Sequence, residues 1–341
     1  MTLWDEIKEQ PAALRRMLDH NRAKAADVAD RLNDEEPMSV LIAARGTSDN
    51  AGRYAQYVWG ARNGLNVSLA TPSLFTVYGR PPRLDGTFVV GISQSGESPD
   101  LVAVLEEAVS QGRPTLAITN HADSPMAQIA DHSIELHAGE EKAIAATKTY
   151  TTQLAAIALL SSALAGEDDP LDAAVKDTQW VLDQAEDIAR YAQGFADIDR
   201  AAVLGRGFNF STAFEWALKL QELTYILAQP YSTADFMHGP LALVSSGFPV
   251  LAVAPSGSPH AVIHELLARL TADLGSRLAV ISDDDGTLAL AEAPIRIPAG
   301  PEWLSPITSV IAAQVFSYHL AVAKGIDPDA PRTIQKVTRT T

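Results

Sequence analysis

The sequence predicts an α/β protein made of two tandem, doubly wound parallel sheets, each covered by helices on both faces in three αβα layers. Three observations predict it. Apolar runs suited to buried strands alternate with amphipathic helical stretches, the order that parallel strands require because each crossover needs a helix. That alternation occurs twice at one spacing: Gly46 and Gly207 are 161 residues apart, and so are Gly96 and Gly257. With 341 residues, 47% of them apolar, there is material for two sizeable cores.

Taken in order, residues 1–35 read as a polar helical segment that closes at "DEEP". A first subdomain over 36–165 follows. Its stretch "SVLIAARGTSDNAGRYAQYVWGA" reads as strand, loop and helix, "LNVSLATP" as a strand, "TFVVGISQSGESPDLVAVLEEAVSQG" as strand, loop and helix, and "PTLAITN" as the next strand. Helical pattern then runs from about Ala143 to Gly194, with 166–197 as a connector. A second subdomain over 198–325 repeats the order, "AAVLGRGFNFSTAFEWALKL" mirroring the first strand-loop-helix unit and "FPVLAVAPSGSPHAVIHELLARL" the third-strand unit. Residues 326–341 form a tail.

Composition excludes several classes. Acidic residues outnumber basic ones 42 to 26, giving a net charge of −16, and no run of Lys or Arg interleaved with aromatics occurs. Nucleic acid is not an expected partner. No segment reaches the roughly 18 uninterrupted apolar residues that a membrane-spanning helix needs, and the N-terminus is amphipathic with mixed charge. No membrane association and a cytoplasmic location are expected. The absence of cysteine removes disulfides, thiolate metal sites and cysteine nucleophiles together.

The loop Ser93-Gln94-Ser95-Gly96-Glu97-Ser98 carries the first functional signal. Its counterpart in the second copy reads Ala254-Pro255-Ser256-Gly257-Ser258-Pro259, so the glycine is shared while hydroxyls and amide concentrate in the first. A glycine kept in both copies serves the turn. Hydroxyls beside unpaired N–H groups at a helix N-terminus suit a dianion such as phosphate, and Thr47 and Ser48 stand at the preceding helix start. Both loops belong at the carboxyl ends of neighbouring strands, where open parallel sheets bind ligands. Helix capping would account for Ser95 or Ser98 but not for the whole set. No G-x-G-x-x-G follows a first strand and no G-K-[ST] occurs, so neither a dinucleotide cofactor nor a P-loop is expected.

The second signal lies in "STAFEWALKLQELTYILAQPY", which has helical spacing, Ser211 or Thr212 as cap candidates and Pro230 as a stop. Lys219 and Glu222 share one face at i,i+3, where a surface ion pair is the ordinary outcome. The following "STADFMHGPLALV" reads as a polar loop that sets His238 beside Gly-Pro, suited to proton transfer near neutral pH. His121, after the fourth strand, is a secondary candidate; the remaining histidines need no function. No H-E-x-x-H or His-x-His pair appears, and no metal is expected.

On "ARGTSDN", "SQSGESPD", "AATKTYTTQL", "GRGFNFSTAFEWALKLQELTY", "HGPLALV" and "GIDPDAPRTIQKVT", the whole chain resembles the SIS (sugar isomerase) family. The branch it is most similar to comprises the isomerase domain of glucosamine-6-phosphate synthase and the SIS-type glucosamine-6-phosphate deaminases. The resemblance implies flavodoxin-like subdomains, a sugar-phosphate substrate, no cofactor, and a homodimer with a shared active site. It implies that Thr47, Ser48, Ser93, Gln94, Ser95 and Ser98 hold the phosphate. Glu222 would move a proton between C1 and C2 with Lys219 beside it, His238 would assist ring opening from the partner subunit, and Lys336 would form a Schiff base at C2. The chain departs from the synthase branch at Gln229, at Asp235 and at Ala146, the last in an "AATK" that the deaminase branch shares. With some 35 residues before the first strand and no cysteine, glutamine is not the expected nitrogen source. The leading expectation is deamination of glucosamine 6-phosphate to fructose 6-phosphate and ammonia. Isomerisation or elimination on an amino-sugar or N-acetylamino-sugar 6-phosphate, and a non-catalytic sugar-phosphate sensor, are the alternatives.

Overall fold

A computed structural model of the chain describes residues 2–333 and 336. Two helices open the chain, α1 (Leu3–Lys8) and α2 (Gln10–Glu35). A first unit comprises residues 12–141, 146–172 and Lys336, and a second comprises 2–11, 142–145 and 173–333.

In the first unit, β1 (Ser39–Ala43), α3 (Gly46–Asn63), β2 (Val67–Leu69), β3 (Thr87–Ser93), α4 (Pro99–Ser110), β4 (Thr115–Thr119), α5 (Pro125–Ile129), β5 (His132–Glu135) and α6 (Lys148–Ala165) follow in order. The strands form one all-parallel sheet, β2-β1-β3-β4-β5. Every residue of β4 is buried, as expected where helices cover both faces. Ala43, Val89 and Ala117 face α4 and α5 through Leu101, Leu105 and Met126.

The second unit contains α1 and most of α7 (Leu171–Asp183), then α8 (Ala185–Gln193), β6 (Arg200–Gly205), α9 (Phe210–Thr224), β7 (Leu227–Ser232), α10 (Thr233–Met237) and β8 (Pro249–Val253). It ends with α11 (His260–Ala272), β9 (Arg277–Ser282), α12 (Asp285–Leu288), β10 (Ala293–Arg296) and α13 (Ser305–Ala323). Its parallel sheet, β10-β9-β8-β6-β7, repeats the order of the first. Alternate residues of β6 and β8 point to opposite sides: Val203 and Leu251 pack with Trp216 and Phe316, whereas Leu204 and Val250 pack with Leu266 and Leu270 of α11. The segment 302–323 is long and apolar enough to cross a membrane, but its apolar window is 78% buried inside the protein.

The duplication is visible element by element. The 161-residue offset relates the first residues of β1 and β6, of α4 and α11, and of β5 and β10. The paired loop glycines all have positive φ: +53° at Gly46, +61° at Gly207, +65° at Gly96 and +149° at Gly257. Each lets a strand turn sharply into its helix.

Three local expectations are corrected. Asn209, not Ser211 or Thr212, is the residue flanking the start of α9, and the two hydroxyls donate backwards to Phe208 O and Asn209 Oδ1. That helix stops at Tyr225 with φ +59°, well before Pro230, which lies in edge strand β7, where a missing N–H is tolerated. The segment before His238 is not a loop throughout: Ser232 Oγ accepts from Asp235 N and caps the single turn α10.

A Cβ on Gly96 would lie 2.3 Å from Ser124 Oγ and 2.9 Å from Thr119 Oγ1. Gly96→Ala is therefore expected to destabilise the fold by about 1–3 kcal/mol, from the positive φ and the clash together. Urea denaturation checks this, and an unchanged midpoint would show that the loop relaxes freely.

Candidate functional site

In the first unit, the order β2-β1-β3 makes the gap between β1 and β3 the switch point of the sheet. The chain leaves both strands there through its two glycine turns. Thr47 and Ser48 occupy the first turn of α3, and Ser48 Oγ accepts from Gln153 Nε2 at 2.9 Å, which leaves the hydroxyl proton to donate. Ser93 Oγ accepts from Gly96 N at 3.1 Å, and Ser95 Oγ accepts from Glu97 N at 3.3 Å. Ser98 takes the flanking position of α4, yet its side chain makes no cap bond. Capping therefore does not consume its hydroxyl. Gln94 O accepts from Asn120 N at 3.1 Å, which fixes the loop against the end of β4.

An arginine that sequence reasoning missed joins these two turns. Arg45, the residue before α3, donates from Nε to Asp100 Oδ2 at 2.7 Å, with Asp100 buried in the first turn of α4 and Arg45 half exposed. The ion pair ties the start of α3 to the start of α4. Its only sequence signal was its place in "ARGTSDN", next to the glycine.

Lys336 is held in the same unit. Its Nζ donates to Glu141 Oε2 at 2.7 Å, and the fully buried Glu141 also accepts from Thr147 N at 2.9 Å, Thr149 N at 3.1 Å and Thr149 Oγ1 at 2.8 Å. Burial pushes the Glu141 carboxyl up. The Lys336 charge and these donors outweigh burial and hold it below the ordinary carboxylate value. Glu141 is the second residue the sequence did not single out. Beside it, Thr147 Oγ1 is buried without a partner among the described residues.

In the second unit, α9 aligns Glu215, Lys219 and Glu222 on one face by i,i+4 and i,i+3 spacing. Lys219 Nζ lies 3.4 Å from Glu215 Oε1 and 2.5 Å from Glu222 Oε2. This is not a surface pair: Lys219 and Glu215 are 1% and 0% exposed, and only Glu222, at 23%, reaches solvent. Glu222 opens onto a pocket shared with Tyr225, Leu227 and Arg332. Arg332 stacks its guanidinium 3.9 Å from the Tyr225 ring centroid and donates its backbone N–H to Tyr225 Oη at 3.0 Å.

His238 is exposed at the end of α10, and its Nδ1 is 2.8 Å from Ala234 O. A carbonyl only accepts, so Nδ1 carries the proton and Nε2 is the nitrogen left to act on a ligand. No hydrogen bond joins His238 to Lys219 or Glu222 among the described residues. His121 is exposed after β4, with its backbone N–H on Thr119 Oγ1. Among the described residues, no group of three His, Asp or Glu side chains is placed to hold a metal.

The fold and these motifs define a tandem of doubly wound parallel sheets, and comparison with known proteins gives its family. The SIS domain matches twice, over residues 34–163 and 194–324. The chain belongs to the SIS family. It is 35% identical, over 97% of its length, to a glutamine–fructose-6-phosphate aminotransferase (isomerizing) of Halobacterium salinarum, and it spans 58% of that relative's length. A Silicibacter pomeroyi protein provisionally named a phosphosugar isomerase has 33% identity and a TM-score of 0.87, with 96% of this chain and all of the other matched. The glucosamine-6-phosphate deaminase of Thermotoga maritima, at 22% identity, shares the fold with a TM-score of 0.81 over 100% of both chains.

The Glu141 carboxylate makes a pH prediction. A group whose folded pKa is depressed contributes stability above its unfolded value, about 4.3 for Glu, and loses it as pH falls. Glu141→Gln is expected to cost about 2 kcal/mol at neutral pH, where charged hydrogen bonds are replaced by neutral ones. The gap to wild type should shrink as pH falls below the ordinary carboxylate range. Urea melts at pH 7 and below about pH 4 test this; a gap independent of pH would mean that Glu141 acts only by shape.

Proposed function

We propose that the protein is an amino-sugar phosphate isomerase/deaminase that converts glucosamine 6-phosphate and water to fructose 6-phosphate and ammonia. The carrying observation is the buried Glu215–Lys219–Glu222 line, whose one solvent-facing end is a carboxylate. Burying the Glu215 and Lys219 charges is costly and needs a compensating role. A C2-to-C1 proton shift needs just such an end, a carboxylate oriented by a cation and open to a ligand.

Each step has a group of this chain to carry it. The phosphate is held by the hydroxyls and N–H donors of the Thr47–Ser48 and Ser93–Ser98 turns, with the Arg45 charge nearby. His238 Nε2 exchanges the proton that opens the sugar ring. Glu222 takes the C2 proton and returns it to C1, turning the amino aldehyde into a 2-imine. Lys336, once released from Glu141, attacks C2 as the free amine, expels ammonia and forms a Schiff base. Water then adds at C2 and frees fructose 6-phosphate and the lysine. The aminotransferase relative and the deaminase neighbour are both named for fructose 6-phosphate or glucosamine 6-phosphate chemistry, which supports the substrate class.

Wild-type protein is expected to release ammonia and fructose 6-phosphate in equal amounts from glucosamine 6-phosphate. Glu222→Gln should lower kcat by about 10³ while KM stays within a factor of about three. Coupled assays of both products measure this. Full activity of Glu222→Gln would remove the proton shuttle. Interconversion of glucose 6-phosphate and fructose 6-phosphate, with no ammonia released from glucosamine 6-phosphate, would turn the reaction into a simple isomerisation.

A further inference from the structure

The second unit has the same switch-point crevice as the first, between β6 and β8, and the chain fills it with its own carboxylate. Glu302 Oε2 accepts from Ser258 N at 2.8 Å, in the loop before α11. A Cβ built on Gly257 would lie 2.4 Å from Glu302 Cγ and Cδ, and one on Gly207 would lie 3.6 Å from Glu302 Oε1. The side chain thus stands between the two glycine turns, the counterparts of those at Gly46 and Gly96. Asp283 Oδ1 occupies a second loop donor, Ser256 N, at 2.6 Å.

The repeat shows what the same donors do in the first unit. Ser256 and Ser258 correspond, 161 residues earlier, to Ser95 and Glu97. Ser95 N makes no hydrogen bond among the described residues, and Glu97 N has only Ser95 Oγ at 3.3 Å. Asp283 corresponds to Ala122, which has no carboxylate to offer. Glu302 corresponds to Glu141, whose carboxylate is turned instead to Lys336 and the Thr147 and Thr149 amides.

We propose that the second unit is a closed anion cradle, with the Glu302 carboxylate as a built-in substitute for a phosphate dianion, and that removing this side chain opens a phosphate-binding site at Ser258 N. A carboxylate meets the same demands there as a phosphate: it accepts from N–H donors at a helix start and complements the positive end of the helix dipole. Glu302 is tethered, so it occupies the crevice without competition from dilute ligand. The consequence is one phosphosugar per chain although the cradle is duplicated.

The test is Glu302→Ala titrated with inorganic phosphate by equilibrium dialysis, with the Ser258 amide followed by NMR. The expected result is one more phosphate bound per chain than in wild type, with a phosphate-dependent shift of the Ser258 amide in the variant only. An unchanged count in folded variant, or an added phosphate that leaves Ser258 unmoved, overturns the proposal. Should the variant unfold in anion-free buffer, recovery of the fold in phosphate is the readout, and failure to recover overturns it equally. The gain over wild type is read whatever number wild type binds, so failure of the first-unit phosphate assignment is separately visible as a wild-type count of zero.

Discussion

The first turn of a helix exposes N–H donors that the helix itself cannot satisfy, and a parallel sheet aims those turns together at the carboxyl ends of its strands. Much else in this protein follows from how those donors are met. A left-handed glycine brings each helix start close to its strand. Serine hydroxyls then take part of the donor capacity, as Ser93 and Ser95 do, or a carboxylate takes it, as Glu302 and Asp283 do. The two solutions divide the two units: serine hydroxyls meet donors in the first, and carboxylates of the chain meet them in the second.

The same division runs in reverse through the charged residues of α9 and through His238. Glu215, Lys219 and Glu222 correspond in the first unit to Tyr54, Val58 and Ala61, and His238 to Val77. Tyr54 is fully buried, and burial pushes its hydroxyl far above the ordinary range, so it carries no charge. Duplication supplied two similar frames, and the side chains that bear chemistry were kept on one or the other. A buried ionised line is expensive to maintain, as is a cradle of open donors.

Buried charge also explains the restraint of the C-terminal tail as far as it is described. The Glu141 side chain is fully buried, and backbone amides alone leave its charge uncompensated. Lys336 supplies the countercharge, while Arg332 rests on Tyr225. A partly exposed lysine is thereby tied to a buried carboxylate 195 residues earlier in the chain.

Much of this was legible from residue order. Strand and helix periods, the 161-residue repeat, the shared glycines and the serine-rich loop follow from local rules: buried parallel strands are apolar, sharp turns need glycine, and helix starts favour hydroxyls. Local rules failed where tertiary contacts outweighed them. Pro230 was a plausible helix stop, but α9 ended earlier and the edge of a sheet accepted the proline. Lys219 and Glu222 had the spacing of a surface pair, and only the packing of α9 placed Glu215 and Lys219 out of water. Arg45, Glu141 and Glu302 gave no periodic signal, because their partners Asp100, Lys336 and Ser258 lie far along the chain. The sequence by itself determined the fold class, the repeat and the positions of the turns, since these depend on neighbours within a few residues. Which carboxylate closes a cradle, which pairs with a lysine and which faces solvent were decided only by tertiary structure, because desolvation and long-range pairing exist only once the chain has folded.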